Sequence, residues 1–259
     1  VYDIQGRIQL RSGNFDGAVA VYNELAETYP DSEQGRSALF QLARSALEIG
    51  QVDVAIEALD RMMANADPYA PEQFVRLGEL FNEAQAPAAY RAAIKAFRHV
   101  LEGDTSARPV LERSLYGQGS AQYHLEDYQV AVESLDKLLT AYPTSALFYE
   151  AQFMLARAAK ETGALERAEE ALREVFRYAK DQTLRTQADY ELGMIWRESG
   201  KTGPAVGAFT RIWLLADADN EELRPLIREA ALATIEISET EGDWKKLVQA
   251  ADRFLELFP

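Results

Sequence analysis

The chain has 259 residues, 47% of them hydrophobic, with 42 acidic against 27 basic side chains and a net charge of -15. That apolar fraction supports a packed core rather than disorder, while the negative surface repels nucleic-acid phosphates and anionic lipid headgroups, leaving room only for a local basic patch. With no cysteine in the chain, disulfides, thiolate nucleophiles, Cys-ligated zinc and iron–sulfur clusters are excluded together, and no apolar run approaches the roughly 18 residues that would insert in a bilayer.

Apolar residues three and four apart predict helices along the whole chain. No useful stretch shows the period of two that a strand needs. Residues 1–12 read as a helix turned at Gly13-Asn14, and 15–29 as its partner, ended by Pro30. A helix over 32–49 follows, with Gly50 where a left-handed residue is usual, and then 52–65, broken at Asp67-Pro68. The third pair is 72–84 and 88–102, joined by an Ala-rich turn around Pro87. After a loop over 103–109 come 110–125 and 128–142. The fifth pair is 146–162 and 165–179, turned at Gly163, and the sixth is 183–199 and 203–216, turned at Gly200. An acidic loop over 216–222 precedes 223–240 and 243–258, turned at Gly242.

One pattern recurs through these pairs. In Ala131-Val-Glu-Ser-Leu135-Asp-Lys-Leu138-Leu139-Thr-Ala-Tyr142-Pro143, a small residue opens an apolar stripe, a large one stands four places on, and proline closes the helix. Ala18, Ala55, Ala93, Ala131, Ala168, Ala205 and Leu247 hold the opening place, at spacings of 37, 38, 38, 37, 37 and 42 residues. Such a period, two helices to the unit, indicates a helical solenoid. The first helices carry a second mark: Gly6, Ala43, Gly78, Gly119, Ala156 and Gly193 stand where two helices cross closely and a larger group would push them apart.

Phe74-x-x-Leu77-Gly78-x-x-Phe81 with Ala93-x-x-x-Phe97, and Leu192-Gly193-x-x-Trp196 with Ala205-x-x-x-Phe209, carry a resemblance to the tetratricopeptide-repeat family. Gly6, Ala18 and Pro30, and Gly119, Ala131 and Pro143, keep the same phase, so the resemblance covers essentially the whole chain. The period exceeds the family's usual one by three or four residues, which implies longer helices. Tyr29-Pro30-Asp31-Ser32 and Tyr142-Pro143-Thr144-Ser145 are similar to turns in bacterial cell-envelope members of the BamD and Tol–Pal coordinator type. The resemblance implies an all-α, right-handed superhelical solenoid of about seven antiparallel helix pairs. It forms one domain over 1–259, with units at about 1–30, 31–68, 69–108, 109–143, 144–181, 182–219 and 220–259. The seventh unit departs from the pattern, with Ile235 at the close-crossing place and Leu247 at the small one, and reads as an end cap or a join to further repeats.

Residues that could carry chemistry are few. His99 and His124 are the only histidines, and neither stands in an Asp/Glu cluster at metal-ligand spacing, so both read as ordinary helix residues. Glu169/Glu170 and Glu221/Glu222 are sequence neighbours, which a helix points about 100° apart, not an acid/base pair. No G-x-S-x-G or P-loop occurs, and Ser120 sits mid-helix. Trp196 and Phe209 occupy core places, Trp213 and Trp244 are not assigned, and Met62 and Met63 read as gap fillers. No catalytic residue, cofactor or metal is expected.

In the family, the first helix of each unit lines the concave face, one turn from the close crossing. Carried over by register, these places fall on Phe40, Arg44 and Leu47, on Val75, Glu79 and Asn82, and on Tyr116, Ser120 and Tyr123. In the later units they fall on Phe153, Arg157 and Lys160, on Tyr190, Met194 and Arg197, and on Leu232, Glu236 and Glu239. Phe40, Tyr116, Tyr123, Phe153 and Tyr190 would supply aromatic anchors, and Arg44, Arg157, Lys160 and Arg197 positive charge in an acidic molecule; both types anchor interfaces. The Lys/Asn clamp of relatives that hold chaperone tails is not matched, because Phe40, Tyr116, Phe153 and Tyr190 stand where it needs lysine. The expected function is a non-catalytic scaffold that binds a protein or peptide partner in a concave groove, within a bacterial periplasmic or cell-envelope assembly. Alternatives are a cytoplasmic setting, the targeting region of a larger enzyme, an RNA-binding repeat, which the charge opposes, and a structural spacer. Beginning at Val1 and ending on Pro259, the chain reads as a trimmed fragment or mature segment of a larger protein.

Overall fold

A computed structural model describes residues 2–66 and 69–258. The expected break at Asp67-Pro68 and stop at Pro259 lie outside the described residues, as does Val1. Fourteen helices account for about four-fifths of the described residues, and no strand is found among them. They divide into two compact units, residues 1–147 and 148–259.

The first unit holds α1 (Tyr2–Arg11), α2 (Phe15–Thr28), α3 (Glu33–Glu48), α4 (Val52–Ala64), α5 (Pro71–Glu83), α6 (Pro87–Glu102), α7 (Arg108–His124) and α8 (Tyr128–Ala141). The second holds α9 (Phe148–Glu161), α10 (Leu165–Tyr178), α11 (Gln182–Glu198), α12 (Thr202–Leu215), α13 (Arg224–Glu241) and α14 (Trp244–Leu257). Odd-numbered helices are the first of each pair. In the first unit, successive helices pack along the chain except at the step from α4 to α5, where α4 meets α6 and α3 meets α5, and α1, α3, α5 and α7 also touch in turn; in the second unit successive helices pack throughout, and α9, α11 and α13 touch in turn. This neighbour-only packing is that of an all-α tetratricopeptide-type solenoid.

Local chemistry sets the ends. Asn14, Ser32, Asp181 and Asp243 each accept hydrogen bonds from backbone N–H groups in the first turn of their helices, satisfying donors with no intrahelical partner. Pro71, Pro87, Pro109 and Pro225 stand in first turns, where the fixed φ fits and the missing N–H costs nothing. For that reason α7 begins at Arg108, inside the stretch expected as loop. Conversely, α9 begins at Phe148, later than expected, because the Ser145 Oγ accepts from the Leu147 N–H while donating to Glu112.

Each first helix ends in a residue of positive φ: Gly13, Gly50, Gln85, Glu126, Gly163, Gly200 and Gly242. Every one follows its close-crossing place by seven residues, so crossing and turn keep one register across the repeats. The sequence marks five of these turns with glycine; Gln85 and Glu126 take the left-handed conformation without it.

The close crossings are filled from the opposite side. A Cβ built on Gly6 would lie 2.5 Å from the Tyr22 ring, one on Gly78 2.6 Å from Phe97, one on Gly119 2.7 Å from Leu135 and one on Gly193 2.5 Å from Phe209. Each intruding side chain stands four residues after the small residue of its second helix, and all four are buried. Where the first helix carries Ala43 or Ala156, the matching residues are Leu59 and Leu172, all buried. Gly207 on α12 meets no such group, since its nearest neighbour would be the Arg211 Nη1 at 3.8 Å. Gly207→Ala should therefore raise stability by about 0.5–1 kcal/mol, the helix-propensity gain alone, and thermal unfolding would show the increase.

The stripe of α8 is core as its spacing predicts: Ala131, Leu135 and Leu138 are fully buried. Trp196 and Phe209 are likewise core, and Trp213 is buried with its indole N–H donating to the Thr234 hydroxyl at 3.1 Å. The last pair is the exception. Only Ala250 of α14 is buried, and Trp244, Val248 and Leu255 are exposed.

Candidate functional site

The register brings the expected side chains to one face of the odd-numbered helices within each unit. Phe40, Tyr116, Phe153 and Tyr190 hold the same place on α3, α7, α9 and α11, and all four are half-buried. Val75 on α5 holds the equivalent place and is fully buried. Phe40 leans on the core of the first unit. Tyr123 packs edge-on against Tyr128 at 5.4 Å between centroids, at the turn into α8. Tyr190 lies 5.9 Å from the Phe209 ring and donates its hydroxyl to the Glu229 carboxylate. Burial, and then that carboxylate, push the Tyr190 phenol well above its ordinary pKa, so it remains a neutral donor.

The cations on this face are mostly consumed by the next first helix. In the second unit, Lys160 lies 3.3 Å from Glu191 and 4.0 Å from Glu198, and Arg157 lies 3.9 Å from Glu191. Arg157 also sits over the Phe153 ring at 6.0 Å. Arg197 reaches Glu236 at 3.0 Å. In the first unit, Arg113 of α7 forms a two-pronged pair with Glu79 of α5, at 2.8 and 2.7 Å, and Arg76 approaches Glu79 and Glu83 at 3.6 Å. The Asn82 amide N–H donates to the Gly117 carbonyl at 2.9 Å, a further α5–α7 tie. Half-exposed pairs of this kind add only about 0.2–1 kcal/mol each. Their larger consequence is that Arg157, Lys160 and Arg197, expected as positive charge for a partner, are already opposed by carboxylates.

Arg44 differs. Among the described residues it makes no ion pair, and it lines a cleft of about 480 Å³ between α1 and α3 with Arg7, Leu10, Arg11, Ser37 and Gln41. The buried Tyr22 ring forms the floor. Among the described residues, no carboxylate lines this cleft. Arg7 and Leu10 stand 37 residues before Arg44 and Leu47, so the repeat period alone would have found them had it been carried back one unit.

Catalytic groups do not converge elsewhere among the described residues. His99 is half-buried against Phe74 at 4.5 Å, and His124 is stacked on Tyr90 at 5.0 Å. Among the described residues there is no group of three or more His, Asp or Glu placed to hold a metal ion, and no helix is long and apolar enough to cross a membrane. The most buried ionic group among them is Asp189, on α11, which accepts two hydrogen bonds from Arg211 of α12 at 2.9 and 2.6 Å. Sequence reasoning did not single it out, because an aspartate among core places leaves no periodic signal.

Comparison with known proteins places this geometry. Tetratricopeptide-repeat profiles match residues 5–71, 113–145 and 149–182, together about half of the chain. The protein CTR9 homolog of Arabidopsis thaliana is 28% identical over 134 residues, which is 52% of this chain but 12% of that protein. Among solved structures, the C-terminal part of a TPR repeat-containing protein from Cytophaga hutchinsonii superposes with a TM-score of 0.73 at 15% identity, over 100% of this chain and 96% of that one. A Rap protein complexed with competence and sporulation factor gives 0.54 at 17% identity, over 97% of this chain and 74% of that one. At these identities the structures speak for the fold alone.

Proposed function

The chain belongs to the tetratricopeptide-repeat family, and from that premise we propose that it is a non-catalytic scaffold whose protein partner lies along the face of its first helices. The observation that carries this reading is the recurrence of Phe40, Tyr116, Phe153 and Tyr190 at one register place, each half-buried rather than sunk in the core. Rigid, part-exposed aromatics give large contact area for little lost side-chain freedom, which is why they dominate interface energetics. Within each unit, stacked helix pairs repeat such a place at each step and offer an extended partner a groove. The structurally similar Rap protein was solved in complex with a factor, which is in keeping with a fold that holds ligands.

Cross-linking and pull-down with the intact protein test this. Changing Tyr116, Phe153 and Arg157 together to alanine should cut partner retention by about tenfold or more, with helix content by circular dichroism unchanged. Substitution of Glu133 and Lys137, exposed on the second helix α8, should leave retention as it was. The reverse pattern, or cross-links confined to second helices, would sink the reading. For the setting we propose the bacterial cell envelope, a reading supported by the Tyr-Pro-x-Ser turns at 29–32 and 142–145. Fractionation of the native host, with the protein recovered in the cytoplasm, would contradict it.

A further inference from the structure

We propose that the exposed face of α14 docks onto α1 of a second copy of this chain, so that copies join head to tail through a helix joint of the kind already repeated within each unit. This contact is separate from the scaffold reading and uses none of the aromatic places on the first helices.

Three observations converge. The first is the outer face of α14. Trp244, Val248 and Leu255 stand three residues before, one after and eight after Leu247, the opening place of that helix, and each is more than half exposed. Among the described residues, no other second helix exposes any of these three places. On α12 they are held by Thr202, Val206 and Trp213. Val206 and Trp213 are buried, and the Trp213 indole N–H reaches the Thr234 hydroxyl on α13 at 3.1 Å. This is the side that a following first helix covers. Large apolar groups left in water there favour association.

The second observation is the outer face of α1. Ile4 and Ile8 lie two residues to either side of the close-crossing Gly6 and are also more than half exposed. On inner first helices these places face the second helix before them. A Cβ built on Gly117, two before Gly119, would lie 2.3 Å from the Phe97 ring of α6. Ala121, Ile195 and Ile237, two after their crossings, are buried. The outer face of α1 is therefore the half of a joint that fits the outer face of α14. Volume is kept as well. Leu255 is smaller than Trp213, which holds its place on α12, and Ile4 is larger than Ala233, which holds its place on α13.

The third observation is charge. Lys160, four residues after the crossing on α9, approaches Glu198, five after the crossing on α11, at 4.0 Å. On α13 and α1 these two places hold Glu239 and Arg11, the same pair with its signs exchanged. Among the described residues neither makes an ion pair. A half-exposed pair adds little affinity but helps to fix register. Because the two faces differ, the joint is heterologous and can be repeated from copy to copy.

Sedimentation velocity on the intact protein at a series of concentrations tests this. The weight-average mass should rise with concentration and fall on dilution. Ile8→Glu and Val248→Glu each place a charge in the apolar joint and should each weaken self-association by about tenfold or more, with helix content by circular dichroism unchanged. Mixing the two variants is the decisive arm. The Ile8→Glu copy keeps an intact α14 and the Val248→Glu copy an intact α1, so the mixture should form a one-to-one dimer and nothing larger. A wild type that stays monomeric at every concentration overturns the proposal, as does a mixture that stays monomeric. Self-association that survives Ile8→Glu but not Val248→Glu overturns it in favour of two α14 helices facing each other. Binding to phosphatidylcholine vesicles by a protein that is monomeric in solution, lost in Val248→Glu, overturns it in favour of a lipid surface.

Discussion

Replacing Phe97 with alanine should destabilise the protein by about 3–5 kcal/mol, the usual cost of removing a fully buried aromatic from a core that cannot collapse around the gap. The ring has no exposed surface and is clasped from two sides. A Cβ built on Gly78 of α5 would lie 2.6 Å from it, and one built on Gly117 of α7 would lie 2.3 Å away. Phe97 thus wedges α6 between two successive first helices, and its removal loosens both at once. The converse change makes the argument specific. Gly117→Ala would gain about 1 kcal/mol of helix propensity on an isolated helix. Here the added methyl collides with a ring that has nowhere to move, and overpacking of this kind costs about 1–3 kcal/mol. The steric term wins, and Gly117→Ala should destabilise where Gly207→Ala stabilises. Combining Gly117→Ala with Phe97→Leu should cost less than the sum of the two, by about 0.5–3 kcal/mol, because the two residues press on each other directly. Urea unfolding of the four proteins measures this, and strict additivity would show that Gly117 and Phe97 do not oppose each other.

Replacing Arg211 with alanine should cost about 3 kcal/mol at neutral pH, toward the lower end for a broken buried pair because Arg211 itself is 43% exposed. The asymmetry within the pair sets the size. The Asp189 side chain is 3% exposed, so deleting its partner strands a carboxylate in the core. Asp189→Asn leaves only an exposed guanidinium and a neutral buried amide, and should cost about 1–2 kcal/mol. Arg211 also lies over the Phe176 ring at 5.2 Å, and the alanine variant forfeits that cation–π stacking as well. Burial pushes the Asp189 carboxyl above its ordinary range, and the hydrogen bonds and charge of Arg211 hold it back. Without Arg211 it rises further. A carboxyl whose folded pKa is raised imposes no charge penalty at pH below its unfolded value, near 4, and an increasing one as pH climbs through the folded value. The deficit of Arg211→Ala against the wild type should therefore be smallest near pH 4 and grow toward neutral pH. A deficit that is constant with pH would mean that Asp189 is not the group left stranded in the core.

How much of this could be read from the chain alone depends on how local the cause is. Helix spacing, the close-crossing glycines and five of the seven turns are short-range signals, and the fourteen helices follow them. The departures are local chemistry that periodicity does not weigh: Pro109 extends α7 backward, and Ser145 delays α9. Gln85 and Glu126 adopt left-handed φ without glycine, each seven residues after its close crossing, so residue type alone did not mark these two turns. Gly117 carried no mark of its own, since the ring that requires it comes from α6.

The aromatic places were legible because they recur with the repeat. The state of the charges was not. Arg44, Arg157, Lys160 and Arg197 are alike in sequence terms, each a cation on the same face of a first helix. Whether each is neutralised depends on a carboxylate 31 to 39 residues away on the next first helix, as for Lys160 with Glu191 and Arg197 with Glu236. By itself the sequence determined the family architecture, the register and the face, because these follow from side-chain spacing within single helices. Only the tertiary structure decided that Arg157, Lys160 and Arg197 are spent on neighbouring helices while Arg11 and Arg44 face an open cleft. A charge is cancelled by what lies within a few ångströms in space, and spacing along one helix does not record that.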